Sequence, residues 1–584
     1  MSADGEAVAA HWRAQWPAAL AIWSPFTRLG EPRFCTTSVA AATEGLRGSF
    51  AMIRLNDHAV VIDCAEISRL GVAGFAREIL AHEVGHHVLA PADLRDQARL
   101  LVRVRAGLPG LAHLAPMVAN LWTDLLINDR LQRSRGLDMA GVYRALGVAG
   151  RGSARSWQLY LRICEELWRL DAGTLADVAG DSDLIADARL GARTVRVYAR
   201  DWLAGASRFA CLLQPYLAQE ADAAAAARAA ASLLDACAVG AGAEPPDGLA
   251  TMDEGEDEAM HPAEDPAIVG DDAQRNVPGD RLPEADRAPD PRQHQRQRDP
   301  PGYVAVMAGM GVAVSERDLV MRYYRELALP HLVPFPARVA RRGHDPLPEG
   351  LETWDLGSPT HEIDWMESTA RGGRPIPGVT TLRRTWGESV GPDVRREPLD
   401  LYLGIDCSGS MGDPARSRSW PIVAGAVMAL SALRARAKVW ACLSGEPGEH
   451  AQTAGFVRDE RAILATLTDY LGTGYSFGIE RLRAAFLVGT PPERATHLLV
   501  LSDSDWFDML DRGAPDGWEV ARRAAEVAGG GASAVLRLPP GSCAGPIARL
   551  ESIGWSVHRV CSDEELVAFA RAFSRTRWLE EARR

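Results

Sequence analysis

The chain has 584 residues, enough for about three or four domains at roughly 150 residues each. Apolar residues make up 47% and charged residues 24%, a composition that builds packed cores, and 64 Lys+Arg against 77 Asp+Glu gives a net charge of −13. The acidic balance argues against a general nucleic-acid binder. No apolar run reaches the ~18 residues needed to span a bilayer, the longest being Ile422 to Leu433. The first ten residues carry neither a basic nor an apolar leader segment. Nine scattered cysteines without a CxxC pair point away from a disulfide framework and from a thiolate zinc site. A reduced, cytoplasmic protein is the expectation.

In chain order, residues 7–23 read as a helix. Ser49 to Ile62 gives two apolar runs split by Asn56-Asp57, a hairpin pattern. Residues 70–90 and 115–135 read as helices. Residues 155–238 read as helices throughout, ending in an Ala-rich run whose helix propensity accounts for it. From about 240 to 301 the chain is first acidic and then rich in Arg, Gln and Pro. It has too few apolar side chains to offset its ordering entropy, so a disordered linker is expected. A short helix follows at 315–327, and 341–398 is too rich in Gly and Pro to assign. From Leu399 onward, short apolar strands (LDLYLGID, KVWACL, THLLVLSD, ASAVLRL, WSVHRV) alternate with helical stretches, which predicts a parallel sheet covered on both faces.

Two motifs carry chemistry. Residues 82–86 read His82-Glu83-Val84-Gly85-His86, the HExxH pattern. On a helix the two histidines share one face and can reach one zinc ion, with Glu83 placed to take a proton from an attacking water. A third ligand is needed. The extended HExxHxxGxxH pattern fails, because Leu89 and Ala92 stand at its later positions. Asp124 is the best candidate: Asn120, Asp124 and Asn128 share one face of the next strong helix, and the two asparagines would be supporting donors. His87, Asp93, His113 and Asp129 are weaker alternatives. No oxyanion-stabilising Tyr or His stands out, and Tyr143 is named without a positional argument. The strand near 58–63 offers an edge for an extended peptide.

The second motif is Asp406-Cys407-Ser408-Gly409-Ser410, a DxSxS loop after a buried strand. Hard oxygens at the C-terminal edge of a parallel sheet suit Mg²⁺ or Mn²⁺. Thr473, in Gly472-Thr473-Gly474-Tyr475-Ser476, and Asp503, in Ser502-Asp503-Ser504-Asp505, fit the same site, with Asp505 competing as the acid. A serine hydrolase reading lacks a GxSxG elbow and a partnered His.

HEVGH with its downstream aspartate resembles the zincin metallopeptidases, over about residues 50–135. That resemblance implies zinc on His82, His86 and Asp124, with Glu83 as general base. DxSxS, Thr473 and Asp503 resemble the metal-ion-dependent adhesion site of von Willebrand factor A (VWA) domains, over about 399–584, with Ser504 where that family usually has Gly. The site as that family builds it would hold Mg²⁺ through Asp406, Ser408, Ser410, Thr473 and Asp503. Together HEVGHH, NLWTDLLIND, IPGVTTLRR, DCSGSM and GTGYSFG resemble bacterial VWA-containing metallopeptidases that accompany MoxR-type AAA+ ATPases. The chain has no GxxxxGK[ST] P-loop of its own. The expected architecture is multidomain: an α+β zincin-like domain (1–150), a mostly helical extension (151–239), the linker (240–301), a connecting segment packed on the VWA domain (302–398), and a doubly wound, Rossmann-like α/β VWA domain (399–584). The expected function is zinc-dependent peptide hydrolysis with Mg²⁺-dependent docking of a MoxR-type ATPase or protein client. The alternative is a non-catalytic adaptor with a structural or inactive zinc site.

Overall fold

The computed structural model describes residues 3–46, 49–148, 154–177, 180–220, 245–246, 248–250, 259–270, 299–339, 344–390, 396–474, 478–512, 516–539 and 541–560, with 565, 569 and 573. The chain forms two compact units, residues 1–326 with 415–417, and 327–414 with 418–584.

The first unit is mostly helical. Helix α1 (Ala3–Trp23) leads to strand β1 (Arg33–Cys35), α2 (Ser38–Thr43), β2 (Ala51–Ile53) and β3 (Val60–Asp63). β2 and β3 form the expected antiparallel pair, Ala51 opposite Ile62. β1, not anticipated, joins β3 in parallel on the other side, so the order is β1-β3-β2. The stretch near 58–63, expected to offer an edge to a peptide, is therefore largely the central strand, hydrogen-bonded on both sides. The expected helix 70–90 is shorter, α4 (Ala76–Val88), and an unanticipated helix precedes it: Asp63 caps α3 (Cys64–Leu70), accepting from Ala65 and Glu66 N–H, and Gly71 at φ 71° turns the chain before α4.

α5 (Leu94–Ala106), α6 (Ala115–Arg135), α7 (Met139–Val148), α8 (Arg155–Trp168), α9 (Ser182–Val197) and α10 (Trp202–Gln219) complete the helical body. α6 ends where the sequence pattern places it. Every residue from Val118 to Asp129 on it is buried, which makes it the central helix of the unit rather than a surface helix. α4, α5, α8 and α10 all contact it. The expected boundary at 150 therefore cuts through one core. Residues 302–326, expected with the second domain, also belong to this unit, and the helix Pro300–Gly309 contacts α5.

Part of the expected linker is docked. Asp265 is 3% exposed and accepts hydrogen bonds from Tyr198 and Arg208 while capping the short helix Pro266–Val269. The Ala-rich run and all of 271–298 lie outside the described residues.

α4 packs unusually close to its neighbours. A Cβ on Gly85 would stand 2.5 Å from Ile127 Cγ2 and 2.7 Å from Trp23 Cζ2. Gly85 is thus required by packing, although alanine would be about 1 kcal/mol better in an isolated helix. Gly85→Ala is expected to lower unfolding stability by a net of up to ~2 kcal/mol, because overpacking costs ~1–3 kcal/mol and the better helix propensity returns about 1, measurable as a lower denaturation midpoint.

The second unit holds a six-stranded sheet. Small pairings precede it: β4 (Ala337–Val339) with β7 (Arg396–Pro398), and β5 (His344–Thr353) with β6 (Leu382–Val390). The sheet strands are β8 (Asp400–Asp406), β9 (Val439–Ser444), β10 (His450–Gln452), β11 (Thr496–Ser502), β12 (Gly529–Arg537) and β13 (Trp555–Val560). Their order is β10-β9-β8-β11-β12-β13, all parallel except the unanticipated edge strand β10. β8 reads as a continuous apolar run because both faces are covered. The helix Trp420–Arg434 packs on β8, β9 and β11, while Tyr402 meets Phe486 edge-on at 5.3 Å within the core of the unit.

Candidate metal centres

α4 and α6 bring the first three predicted residues together. His82, His86 and Asp124 are all buried, and they form a metal-competent cluster among the described residues. His82 Nε2 lies 3.2 Å from His86 Nε2, and Asp124 Oδ1 lies 3.5 and 3.4 Å from them. Tetrahedral zinc with bonds of about 2.0–2.1 Å spaces its ligands about 3.3–3.4 Å apart.

The hydrogen bonds fix which atoms face inward. The His82 Nδ1–H donates to Asn128 Oδ1 at 2.7 Å, and the His86 Nδ1–H donates to the Ala90 carbonyl at 3.1 Å. Both Nε2 atoms are then lone pairs, and Asp124 Oδ1 is buried with no hydrogen-bond donor. Three lone-pair atoms in a buried triangle repel one another unless a cation sits among them. The residues present therefore fit a zinc ion.

Glu83 is fully buried beside His82 on α4. Asn128, expected as a supporting donor, is instead the acceptor that orients His82. Its own Nδ2 donates to the Tyr143 hydroxyl at 2.9 Å, and that hydroxyl meets Tyr160 at 2.8 Å. Burial holds both phenols well above their ordinary pKa, so both remain protonated. Tyr143 thus stands behind His82. Asn120 Nδ2 is buried without a hydrogen-bond partner. Tyr160 and the Ala90 carbonyl were not apparent in the sequence, since neither follows from motif spacing.

The weaker alternatives sit elsewhere. His87 pairs edge-on with His58, ring centroids 4.4 Å apart. Asp93 caps α5, His113 is exposed, and Asp129 binds Arg133. Asn128→Leu is expected to weaken zinc affinity about 10–100-fold and Tyr143→Phe by less, while Asn128→Asp, which keeps an acceptor, retains binding; competition with a chromogenic chelator reads all three.

In the second unit, the six strands taken in chain order run 3-2-1-4-5-6 across the sheet, and the order reverses between β8 and β11. Open α/β sheets bind ligands outside the strand ends at that point. Asp406 ends β8 and is 3% exposed, its Oδ1 accepting from Ser408 N–H at 2.9 Å. Its Oδ2 accepts from the Ser502 hydroxyl at 2.7 Å, a partner on β11 that the DxSxS pattern does not reveal. Thr473 bridges to Ser408, and its carbonyl accepts from Gly409 N–H at 2.9 Å. Ser410 lies in the 3₁₀ turn Gly409–Met411; its side chain, with Tyr475 and Ser476, lies outside the described residues.

Asp503 follows β11 and accepts from Asp505 N–H at 2.9 Å. Burial raises the Asp406 pKa, and the charge of Asp503 adds to it; burial and the charges of Asp503 and Asp406 raise Asp505 likewise. Three mutually repelling carboxylates at a strand end are relieved by a hard cation.

No protein-family model and no curated protein matches this chain. Among solved structures it is similar to a von Willebrand factor type A protein from Catenulispora acidiphila, with 15% identity and a TM-score of 0.21, over 31% of this chain and 43% of that one. The chain thus spans less than half of that protein's length. No described helix is long and apolar enough to cross a membrane.

Proposed function

We propose that the chain is a zinc-dependent peptidase whose second unit docks a protein partner through Mg²⁺ or Mn²⁺. The observation that carries the first half is the buried triangle of His82 Nε2, His86 Nε2 and Asp124 Oδ1, whose edges of 3.2–3.5 Å match the spacing of ligands around a tetrahedral zinc. Zinc there would polarise a peptide carbonyl and bring the pKa of water down to about 7. Glu83 would take the proton of the attacking water and pass it to the leaving amine. Asn128 and the Ala90 carbonyl hold the two imidazoles in the tautomer that faces inward. Tyr143, its hydroxyl spent on Asn128 and Tyr160, acts behind His82 rather than on substrate.

The 3-2-1-4-5-6 sheet with its antiparallel edge, and the loops at Asp406, Thr473 and Asp503, support a VWA-like reading of the second unit. Such a site takes a partner's carboxylate as a further ligand. The chain's single lysine, Lys438, precedes a strand and belongs to no phosphate loop, so ATP-driven work falls to a partner. A MoxR-type AAA+ ATPase is the partner implied by the resemblance of the motifs.

The purified chain is expected to hold one zinc ion in its first unit and to cleave an unfolded protein substrate. A chelator should abolish cleavage, and added zinc should restore it. Failure to retain zinc at micromolar concentration overturns the peptidase reading.

A further inference from the structure

A cleft opens beside the His82–Asp124 cluster, enclosing about 470 Å³ together with the solvent at its mouth. Phe50, Ile79, Met139, Val142, Leu146 and Trp157 wall it, and His82 and Asp124 line it as well. Asn128 and Tyr143 also reach it, but their polar atoms are engaged with His82, with each other and with Tyr160. Outside the cluster itself, the lining therefore offers no charged side chain and little hydrogen-bonding capacity. A polar substrate side chain would enter without replacing its water, whereas an apolar one gains by leaving it. Because the cleft touches two of the three cluster residues, its occupant must flank the reacting bond.

We propose that this cleft is the specificity pocket of the peptidase and takes a large apolar side chain (leucine, methionine or phenylalanine) next to the scissile bond. The inference rests on the zinc-peptidase reading, and its test separates the two. The zinc-loaded full chain is titrated calorimetrically with three hydroxamates: acetohydroxamate, 4-methylpentanohydroxamate and 3-carboxypropanohydroxamate. The branched apolar chain should bind about 10–200-fold tighter than acetohydroxamate, and the carboxylated chain no tighter.

Val142→Trp, which fills the cleft, should erase the advantage of the branched chain while leaving zinc content and acetohydroxamate affinity unchanged. Should that variant lose zinc through misfolding, Leu146→Phe gives a smaller filling with the same expected direction. Equal affinity of wild type for all three compounds, or a filled variant that keeps the preference, overturns the pocket. A chain that holds no zinc, or zinc that binds none of the three, overturns the peptidase reading instead.

Discussion

Glu83→Gln is expected to leave zinc stoichiometry unchanged and to cut peptide hydrolysis about 10²–10⁴-fold, the usual contribution of a positioned general base. The substitution keeps shape and volume in a fully buried position, so packing of α4 against α1 and α6 should survive. What it removes is the proton-accepting charge one residue from His82. The proposed zinc ligands are His82, His86 and Asp124 and do not include Glu83, which is why binding and turnover should separate. Metal analysis beside a cleavage assay on one preparation reads both. Simultaneous loss of zinc would make Glu83 a ligand or a structural group, and unchanged hydrolysis would remove it from the chemistry.

Asp406→Ala and Asp124→Ala are expected to fail in opposite ways. The first should abolish Mg²⁺-dependent stabilisation and partner binding while zinc content stays at the wild-type level. The second should lose zinc and hydrolysis while the Mg²⁺ response stays intact. The physical basis at Asp406 is its burial: the carboxylate is held by Ser408 N–H and Ser502 Oγ beside the charges of Asp503 and Asp505, so a divalent cation relieves repulsion that the folded chain otherwise carries. Any ligand of the folded state alone raises apparent stability by mass action, about 2.7 kcal/mol at a hundredfold excess over its Kd. Thermal melts with and without Mg²⁺ therefore test the site before a partner is known. A melting shift that survives Asp406→Ala would place the cation elsewhere.

Much of the site was legible because its signals are local. The i, i+4 histidines share a helix face by geometry alone, and Asp124 stood out as a carboxylate at i, i+4 spacing between two asparagines, beside the apolar stripe of its helix. The strands from Leu399 to Val560 announced a doubly wound sheet through their alternation with helices. What the sequence hid depends on distant pairing. β1 is three residues long and exists only because β3 offers it an edge. α3 starts at the Asp63 cap and ends at Gly71, and neither residue marks a separate helix in a sequence read as helical only from residue 70. Ser502 is an ordinary strand residue until the sheet places it against Asp406, 96 positions away. Tyr160 lies in what read as a separate helical extension, and nothing in its neighbourhood marks it as the end of a relay from His82.

That last placement bears on how the molecule can be divided. α8 supplies Trp157 to the cleft wall and Tyr160 to the chain of hydroxyls behind Asn128, and the two rings stack at 4.9 Å. A fragment ending near residue 150 would keep all three cluster residues yet lose the buttress behind His82 and one wall of the cleft. Such a truncation should behave as a leaky chelator with poor selectivity for its cation. On the peptidase reading proposed above, a fragment that keeps the site's supports must therefore extend at least through Trp168.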